Sequence, residues 1–331
     1  MQKLRNDFFS GKIVFITGGT GSLGRALVRR LKKLNCKIII YSRDEGKQAL
    51  YFGKDKQIKR VIGDVRDLEK LKTSMILHKP DCVIHTAALK RVDDMEIYPD
   101  ECVKTNIVGS ENVAISSLHA GVSKCILIST DKACQPVNVY GSSKFIAERI
   151  FTNYDYNSNH TVFSSVRYGN VIASRGSFIP LWMSAIKSGQ TINVTSTEMT
   201  RFLFTLEDAV DTVLDSLVNA VGGEVFIPKI DSYTLPKCIE AISKITNTEI
   251  KTKVIGIRAG EKLHEDMLSK TELPFTYEVE GTNLLQVRPQ YTNKKYQIFS
   301  RYDGQEFNSG LWIQHDTHKL ISLINKGLEC Q

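Results

Sequence analysis

No stretch of this 331-residue chain reaches the roughly 18 consecutive apolar residues that a membrane span needs. The opening run, Met1-Gln-Lys-Leu-Arg-Asn-Asp7, lacks the apolar core of a secretory leader. A cytoplasmic protein without a membrane partner is therefore expected. No C-x-x-C pair and no H-E-x-x-H occur. The seven cysteines (Cys36, Cys82, Cys102, Cys125, Cys134, Cys238 and Cys330) are odd in number, and several sit in apolar runs. That argues for reduced thiols rather than a disulfide framework or a zinc site. His264-Glu265 and His315-x-x-His318 lack metal-site spacing, so no metal is expected. There is no internal repeat, no low-complexity tract and no cluster of basic residues. The net charge of +8 is spread along the chain. It suits an anionic small ligand, such as a dinucleotide or sugar nucleotide, better than nucleic acid.

An apolar content of 42% and a charged content of 24% belong to a globular protein large enough to bury a full core. Lys12-Ile-Val-Phe-Ile-Thr17 reads as a buried strand. Gly18-Gly-Thr-Gly-Ser-Leu-Gly24 follows at once, and Arg25 to Leu31 has helical periodicity. Strand, glycine loop and helix together make the context in which backbone N–H groups meet a pyrophosphate. Lys37 to Tyr41 is a second strand, ending in Ser42-Arg43-Asp44 with Lys47 close behind. A hydroxyl and a guanidinium there suit a ribose 2′-phosphate, which predicts NADP over NAD, although Asp44 can still reach a ribose. A third strand ends in Gly63-Asp64-Val65-Arg66-Asp67. Asp64 is a ligand candidate, while Asp67 is either a ligand or a helix cap. A fourth strand opens into Thr86-Ala87-Ala88, small enough for a cofactor to lie close, and then Lys90, which meets phosphate or is simply solvated. Pro99 to His119 has one long helical pattern. These β/α units predict a doubly wound parallel sheet (a Rossmann fold), with a smaller mixed α/β part in the C-terminal half that caps a substrate cleft. The expected division is a nucleotide-binding domain at 1–175 and a substrate domain at 176–331, with part of 200–230 returning to the first.

The stretch richest in chemistry is Ser129-Thr-Asp-Lys-Ala-Cys-Gln-Pro-Val-Asn-Val-Tyr-Gly-Ser-Ser-Lys144. It follows an apolar strand and runs into a helical pattern beginning at Asn138. Tyr140 and Lys144, four apart, share one helical face. An ammonium beside the phenol is expected to lower the tyrosine pKa toward that of a general base. Asp131 and Lys132 form a second acid/base pair. One pocket is thus equipped for a redox step and a separate proton transfer. Cys134, without a nearby histidine, reads as a packing residue.

Taken together these motifs resemble the extended short-chain dehydrogenase/reductase superfamily. Ser42-Arg-Asp44, Gly63-Asp-Val-Arg-Asp67, Ala87-Ala-Leu-Lys90, Lys104-Thr-Asn-Ile107, Ser129-Thr-Asp-Lys-Ala133 and Arg167-Tyr-Gly-Asn-Val171 narrow the likeness. So do Ser174-Arg-Gly176, Met199-Thr-Arg-Phe202 and Gly256-Ile-Arg-Ala-Gly-Glu-Lys-Leu-His-Glu265. They are similar to the UDP-N-acetylglucosamine 4,6-dehydratases of the inverting kind. The resemblance implies that Gly18, Thr20, Gly21, Ser22, Leu23, Ser42, Arg43, Asp44, Lys47, Asp64, Val65, Thr86, Ala87 and Ala88 line an NADP site with Tyr140 and Lys144. It implies that Lys90, Thr130, Asn170, Val171, Arg175, Arg201, Arg258 and Glu261 meet a UDP-sugar. It further implies a homo-oligomer, dimer or hexamer, in the synthesis of unusual deoxy-sugars. Leu23 replaces the phenylalanine expected in the glycine loop, Ala259 stands where proline is usual, and residues from 271 onward match loosely.

The expected chemistry is an internal redox cycle. Tyr140 takes the C4 hydroxyl proton as hydride leaves for the nicotinamide. A neutral Lys132 removes H5, and a protonated Asp131 donates to the departing C6 hydroxyl. The alternatives are a retaining dehydratase, a UDP-hexose 4-epimerase that uses only Tyr140 and Lys144, and a non-catalytic NADP-binding scaffold.

Overall fold

The computed structural model describes residues 1–172, 174 and 177–329. A leading helix α1 (Gln2–Phe9) precedes β1 (Ile13–Thr17) and α2 (Ser22–Lys33). Alternation continues through β2 (Lys37–Ser42), α3 (Glu45–Phe52), β3 (Ile58–Ile62), α4 (Leu68–His78) and β4 (Cys82–His85). Next come α5 (Val92–Ile97), α6 (Pro99–Cys102), α7 (Gly109–His119), β5 (Lys124–Ile128), α8 (Val139–Tyr156) and β6 (Val162–Val166). These six strands lie parallel in the order β3-β2-β1-β4-β5-β6. That is the expected doubly wound sheet, with its topological switch between β1 and β4, where such sheets bind ligands at the strand C-termini.

The strands read as near-continuous apolar runs because helices cover both faces. Successive side chains point to opposite faces. Val14, Ile16, Ile38, Ile40 and Ile84 therefore pack under one helical layer with Leu27 and Leu31 of α2. Phe15, Ile39, Tyr41, Val83 and Leu127 enter the other layer, with Leu71, Val113 and Phe151.

The second half supplies β7 (Asn170–Val171), α9 (Phe178–Lys187), β8 (Ile192–Val194), β9 (Thr200–Phe204), α10 (Leu206–Asn219), β10 (Val225–Pro228) and β11 (Ser232–Thr234). It continues with α11 (Leu235–Thr246), β12 (Thr252–Val254), β13 (Asp266–Leu268), β14 (Thr276–Val279), β15 (Leu284–Val287), β16 (Phe307–Asn308) and α12 (Thr317–Glu329). β10 adds parallel to β6, and the β14–β15 hairpin extends the main sheet to nine strands. The remaining strands form three small sheets, β11-β9-β7, β12-β8 and β13-β16. A separate core with Ile179, Ile192, Tyr233, Ile242 and Leu320 fills the space beneath α9, α11 and α12. Among the described residues no helix is long and apolar enough to cross a membrane.

The single helical pattern over Pro99–His119 is interrupted. Val103–Val108 forms one π turn between α6 and α7. Its cause is Asn106, whose Oδ1 accepts from Leu89 N at 2.8 Å. The same side chain's Nδ2 donates to Leu89 O at 2.9 Å and to Ser143 Oγ at 3.0 Å. The wider turn brings that side chain onto the loop after β4 and onto α8.

Candidate active site

The nucleotide end is shaped by a close approach of backbones. Gly18 sits at φ +69° and donates its N–H to Tyr41 O at 2.8 Å. A Cβ there would lie 2.8 Å from both Ala87 N and Thr86 Oγ1. Only glycine supplies this dihedral without strain. The loop after β4 is pinned to β1 in turn. Thr86 Oγ1 donates to Thr17 O at 2.7 Å, and Ala87 N to Thr17 Oγ1 at 3.3 Å. α2 begins at Gly21 with no side-chain cap and no acid in its first turn. Buried Thr20 and half-buried Ser22, Leu23 and Ala88 surround that start. An uncapped helix start behind a glycine loop suits a pyrophosphate. These residues therefore fit a nicotinamide dinucleotide, which when bound would supply a hydride acceptor.

At the end of β2, Asp44 caps α3, accepting from Lys47 N at 2.8 Å, and its other oxygen pairs with the Lys47 ammonium. Buried Ser42 accepts from Gln48 Nε2 at 2.9 Å. Arg43 stays more than half exposed, with Nη1 3.6 Å from Asp64 Oδ2. Asp64 also accepts from Arg66 Nε at 2.9 Å. Burial works to raise its carboxyl pKa, but Arg66 and Arg43 hold it below its ordinary range. Val65 is buried. Asp67 caps α4, accepting from Lys70 N at 3.0 Å.

The catalytic stretch turns once as a 3₁₀ segment, Asp131–Ala133, before α8. Asn138 caps α8, accepting from Gly141 N at 2.7 Å. Its Nδ2 donates to Gly260 O at 2.7 Å, tying the helix start to the far half of the chain. Gly141 lets α8 lie against the turn, since a Cβ there would come within 2.2 Å of Lys132 O. Lys132 Nζ lies 3.1 Å from Asp131 Oδ1. It also lies 3.1 Å from Glu265 Oε1, a carboxylate that the sequence reading left without a role. Arg201 Nε stands 3.8 Å from the same Glu265 oxygen. Asp131 and Glu265 are almost fully buried, and each keeps one oxygen, Oδ2 and Oε2, without a hydrogen bond.

Two expectations are corrected here. Burial pushes the Tyr140 phenol up to about 12. The lowering influences on it are the Lys132 charge and a hydrogen bond with Thr130, not Lys144. Lys144 is buried, and its pKa is pushed down to about 8, with Glu148 opposing. Second, Lys132 is not a neutral amine in this state. Burial disfavours its ammonium, but Asp131 and Glu265 outweigh burial and raise its pKa. Burial also raises the Asp131 carboxyl, with Lys132 opposing, whereas Lys132 and Arg201 overcome burial to hold the Glu265 carboxyl low.

The other candidates are spread around this centre. Asn170 and Val171 form β7 beside β9, and Asn170 Oδ1 is buried without a partner. Arg201 is buried and donates to Thr200 O at 2.7 Å. Arg258 lies in an exposed turn, 2.9 Å from Asp93 Oδ2, with its N–H donating to Glu261 Oε2 at 3.1 Å. Lys90 is exposed. Arg175 lies outside the described residues. Among the described residues no group of histidine, cysteine and acidic side chains is placed to hold a metal.

A family model described as a polysaccharide biosynthesis protein matches residues 14–286. A protein of Campylobacter jejuni strain 81-176 named UDP-N-acetylglucosamine 4,6-dehydratase (inverting) is 46% identical over 282 residues, 82% of each chain. A namesake from Campylobacter jejuni NCTC 11168 is 43% identical over 333 residues, 97% of each chain. A UDP-glucose 4-epimerase of Rickettsia massiliae is 40% identical over 275 residues, 80% of each chain. Among solved structures, Pen from Bacillus thuringiensis superposes with a TM-score of 0.88 at 33% identity, covering 96% of this chain and 98% of that one.

Proposed function

The chain belongs to the polysaccharide biosynthesis protein family, and on that premise we propose that it is a UDP-N-acetylglucosamine 4,6-dehydratase, a lyase with an internal redox cycle. The observation that carries this reading is Lys132, held 3.1 Å from Asp131 beside Tyr140. A 4-epimerase needs a group to handle the C4 hydroxyl proton. It does not need a second acid and base to eliminate water.

Tyr140 removes the C4 hydroxyl proton as C4 is oxidised, and the Lys132 charge and the Thr130 hydroxyl favour its phenolate. The resulting ketone acidifies H5. A proton passes from Lys132 Nζ to Asp131, leaving an amine and a carboxylic acid. Lys132 then removes H5 while Asp131 protonates the C6 hydroxyl, and water departs. A bound nicotinamide would supply the hydride chemistry, taking it from C4 and giving it back at C6, so that with a proton returned to C5 no oxidant would be consumed.

We favour NADP over NAD because Asp44 is committed to capping α3 and to Lys47, while Arg43 stands exposed beside it. We also propose inversion at C5, on the likeness to the two Campylobacter proteins named as inverting, and, on the sequence motifs alone, a cytoplasmic homo-oligomer in deoxy-sugar synthesis. The likeness to the Rickettsia epimerases favours a second reading, a UDP-hexose 4-epimerase.

Proton NMR of the purified protein incubated with UDP-N-acetylglucosamine separates them. A 6-deoxy methyl signal with L-arabino couplings supports the inverting dehydratase, and D-xylo couplings move it to the retaining class. A C4 epimer without a methyl signal overturns the dehydratase reading.

A further inference from the structure

Glu265 comes from the charged turn ahead of β13, far along the chain from the catalytic stretch. Its backbone is fixed from both sides. Its N–H donates to Ser309 Oγ at 2.8 Å, and Ser309 N donates to its carbonyl at 2.8 Å. The residue is 2% exposed, and its side chain ends 3.1 Å from Lys132 Nζ. The second oxygen, Oε2, has neither a protein partner nor solvent. Asp131 repeats the arrangement on the other side of the same ammonium, with Oδ1 engaged and Oδ2 orphaned. A buried carboxylate oxygen without a donor is costly, and a fold that keeps two of them around one lysine calls for an explanation.

We propose that Glu265 is a positioning residue that keeps one shared proton on the Asp131–Lys132 pair during elimination. The inference rests on the dehydratase reading. The pair works only with one proton between its two sites. With that proton on Asp131 Oδ1, it offers an amine base and a carboxylic acid together. A second proton removes the base, and loss of the only proton removes the acid. As H5 leaves, Lys132 Nζ gains a proton, and the C5–H electron pair becomes the C5=C6 bond. The C6–O bond breaks as Asp131 gives its proton to the leaving hydroxyl. The pair ends as carboxylate and ammonium, with its proton count unchanged.

The charge on Glu265 raises the proton affinity of the pair at both titration steps. Arg201, from β9, works against it at Lys132, while Arg201 and Lys262, on the same turn as Glu265, keep the Glu265 carboxyl ionised. The other titratable groups around the cluster are Tyr140 on α8, His264, whose Nδ1 shares a hydrogen bond with Thr200 Oγ1, and Asp266, paired with Lys262. None of these touches Lys132 as Glu265 does.

The test is the pH dependence of kcat/KM for methyl product from UDP-N-acetylglucosamine, in wild type, E265Q and E265D. In E265Q both limbs of the profile should move to lower pH, by about one unit or more. E265D keeps the charge and should bring the limbs back toward their wild-type positions. A lower maximum in E265Q with both limbs unmoved would mean a packing role only and would overturn the inference. If E265Q does not fold, judged by lost nucleotide binding, R201Q decides. Its limbs should move to higher pH, and unmoved limbs would overturn the inference. A wild-type enzyme that forms no methyl product overturns the dehydratase reading first, and is told apart by that result.

Discussion

Arg167 and Glu148 meet fork to fork beneath the catalytic helix. Arg167 Nε donates to Glu148 Oε1 at 2.9 Å and Nη2 to Oε2 at 2.7 Å. The same guanidinium reaches Glu272 Oε1 at 2.8 Å, and Ser129 Oγ donates to Glu148 Oε1 at 2.5 Å. One buried cation thus joins the end of β6, α8 and the chain after β13. Removing it leaves Glu272 without its counter-charge and Glu148 with only the half-exposed Arg149, 4.0 Å away. R167M should lower stability by roughly 3–5 kcal/mol. Denaturant titration followed by circular dichroism reads this directly, and an unchanged midpoint would contradict it.

Glu272 gives the same network a pH dependence. Burial opposes its ionised form, but Arg167 holds its pKa down to about 2. A carboxyl whose pKa is lower in the folded state contributes stability above its unfolded pKa and loses it as pH falls toward the folded value. The stability gap between wild type and E272Q should be full at neutral pH and close progressively below about pH 4.5. Thermal melts across that range test it.

Glu224 and Asp155 predict the opposite slope. Both lie at the end of the sheet away from the catalytic segment. Glu224 accepts from Val221 N and Gly222 N, and Asp155 from Phe163 N. Burial raises Glu224 to about 7 and Asp155 to about 6. A raised folded pKa means stability that is present at acid pH and lost as pH climbs through those values. The melting temperature of E224Q relative to wild type should therefore rise between pH 5 and pH 8, by the equivalent of up to ~3 kcal/mol. A constant difference would contradict the assignment.

Arg43 tests nucleotide selectivity. If its guanidinium meets a 2′-phosphate, R43A should weaken NADP by roughly 10- to 100-fold and leave NAD within a few-fold. Fluorescence titration with both nucleotides measures this. Equal weakening of the two would contradict it.

The first half of the molecule was legible because its signals are local. The strand, glycine loop and helix of residues 12–31, and Asn138 ahead of the Tyr140 helix, each lie within a few residues of what they specify. Asp67 was ambiguous because a cap and a ligand use the same side chain at the same place. Three features escaped the sequence. Glu265 carries no local signal, since its partner Lys132 lies on a turn far from it in sequence. Helical spacing shows Lys144 one turn from Tyr140, which points to a phenol lowered toward a general base, but not the burial that raises it. The π turn at Val103–Val108 depends on Asn106 reaching the loop after β4, which no periodicity reveals.

In the proposed mechanism the Asp131–Lys132 pair performs the elimination, a step distinct from the redox step. The most direct test is K132A with UDP-N-acetylglucosamine in deuterated water. The ultraviolet absorbance of reduced nicotinamide should still develop, more slowly because the Lys132 charge is one of the influences that lower the Tyr140 phenol. Methyl product and deuterium at C5 should both fall by at least ~10²-fold. Methyl product at the wild-type rate would contradict it.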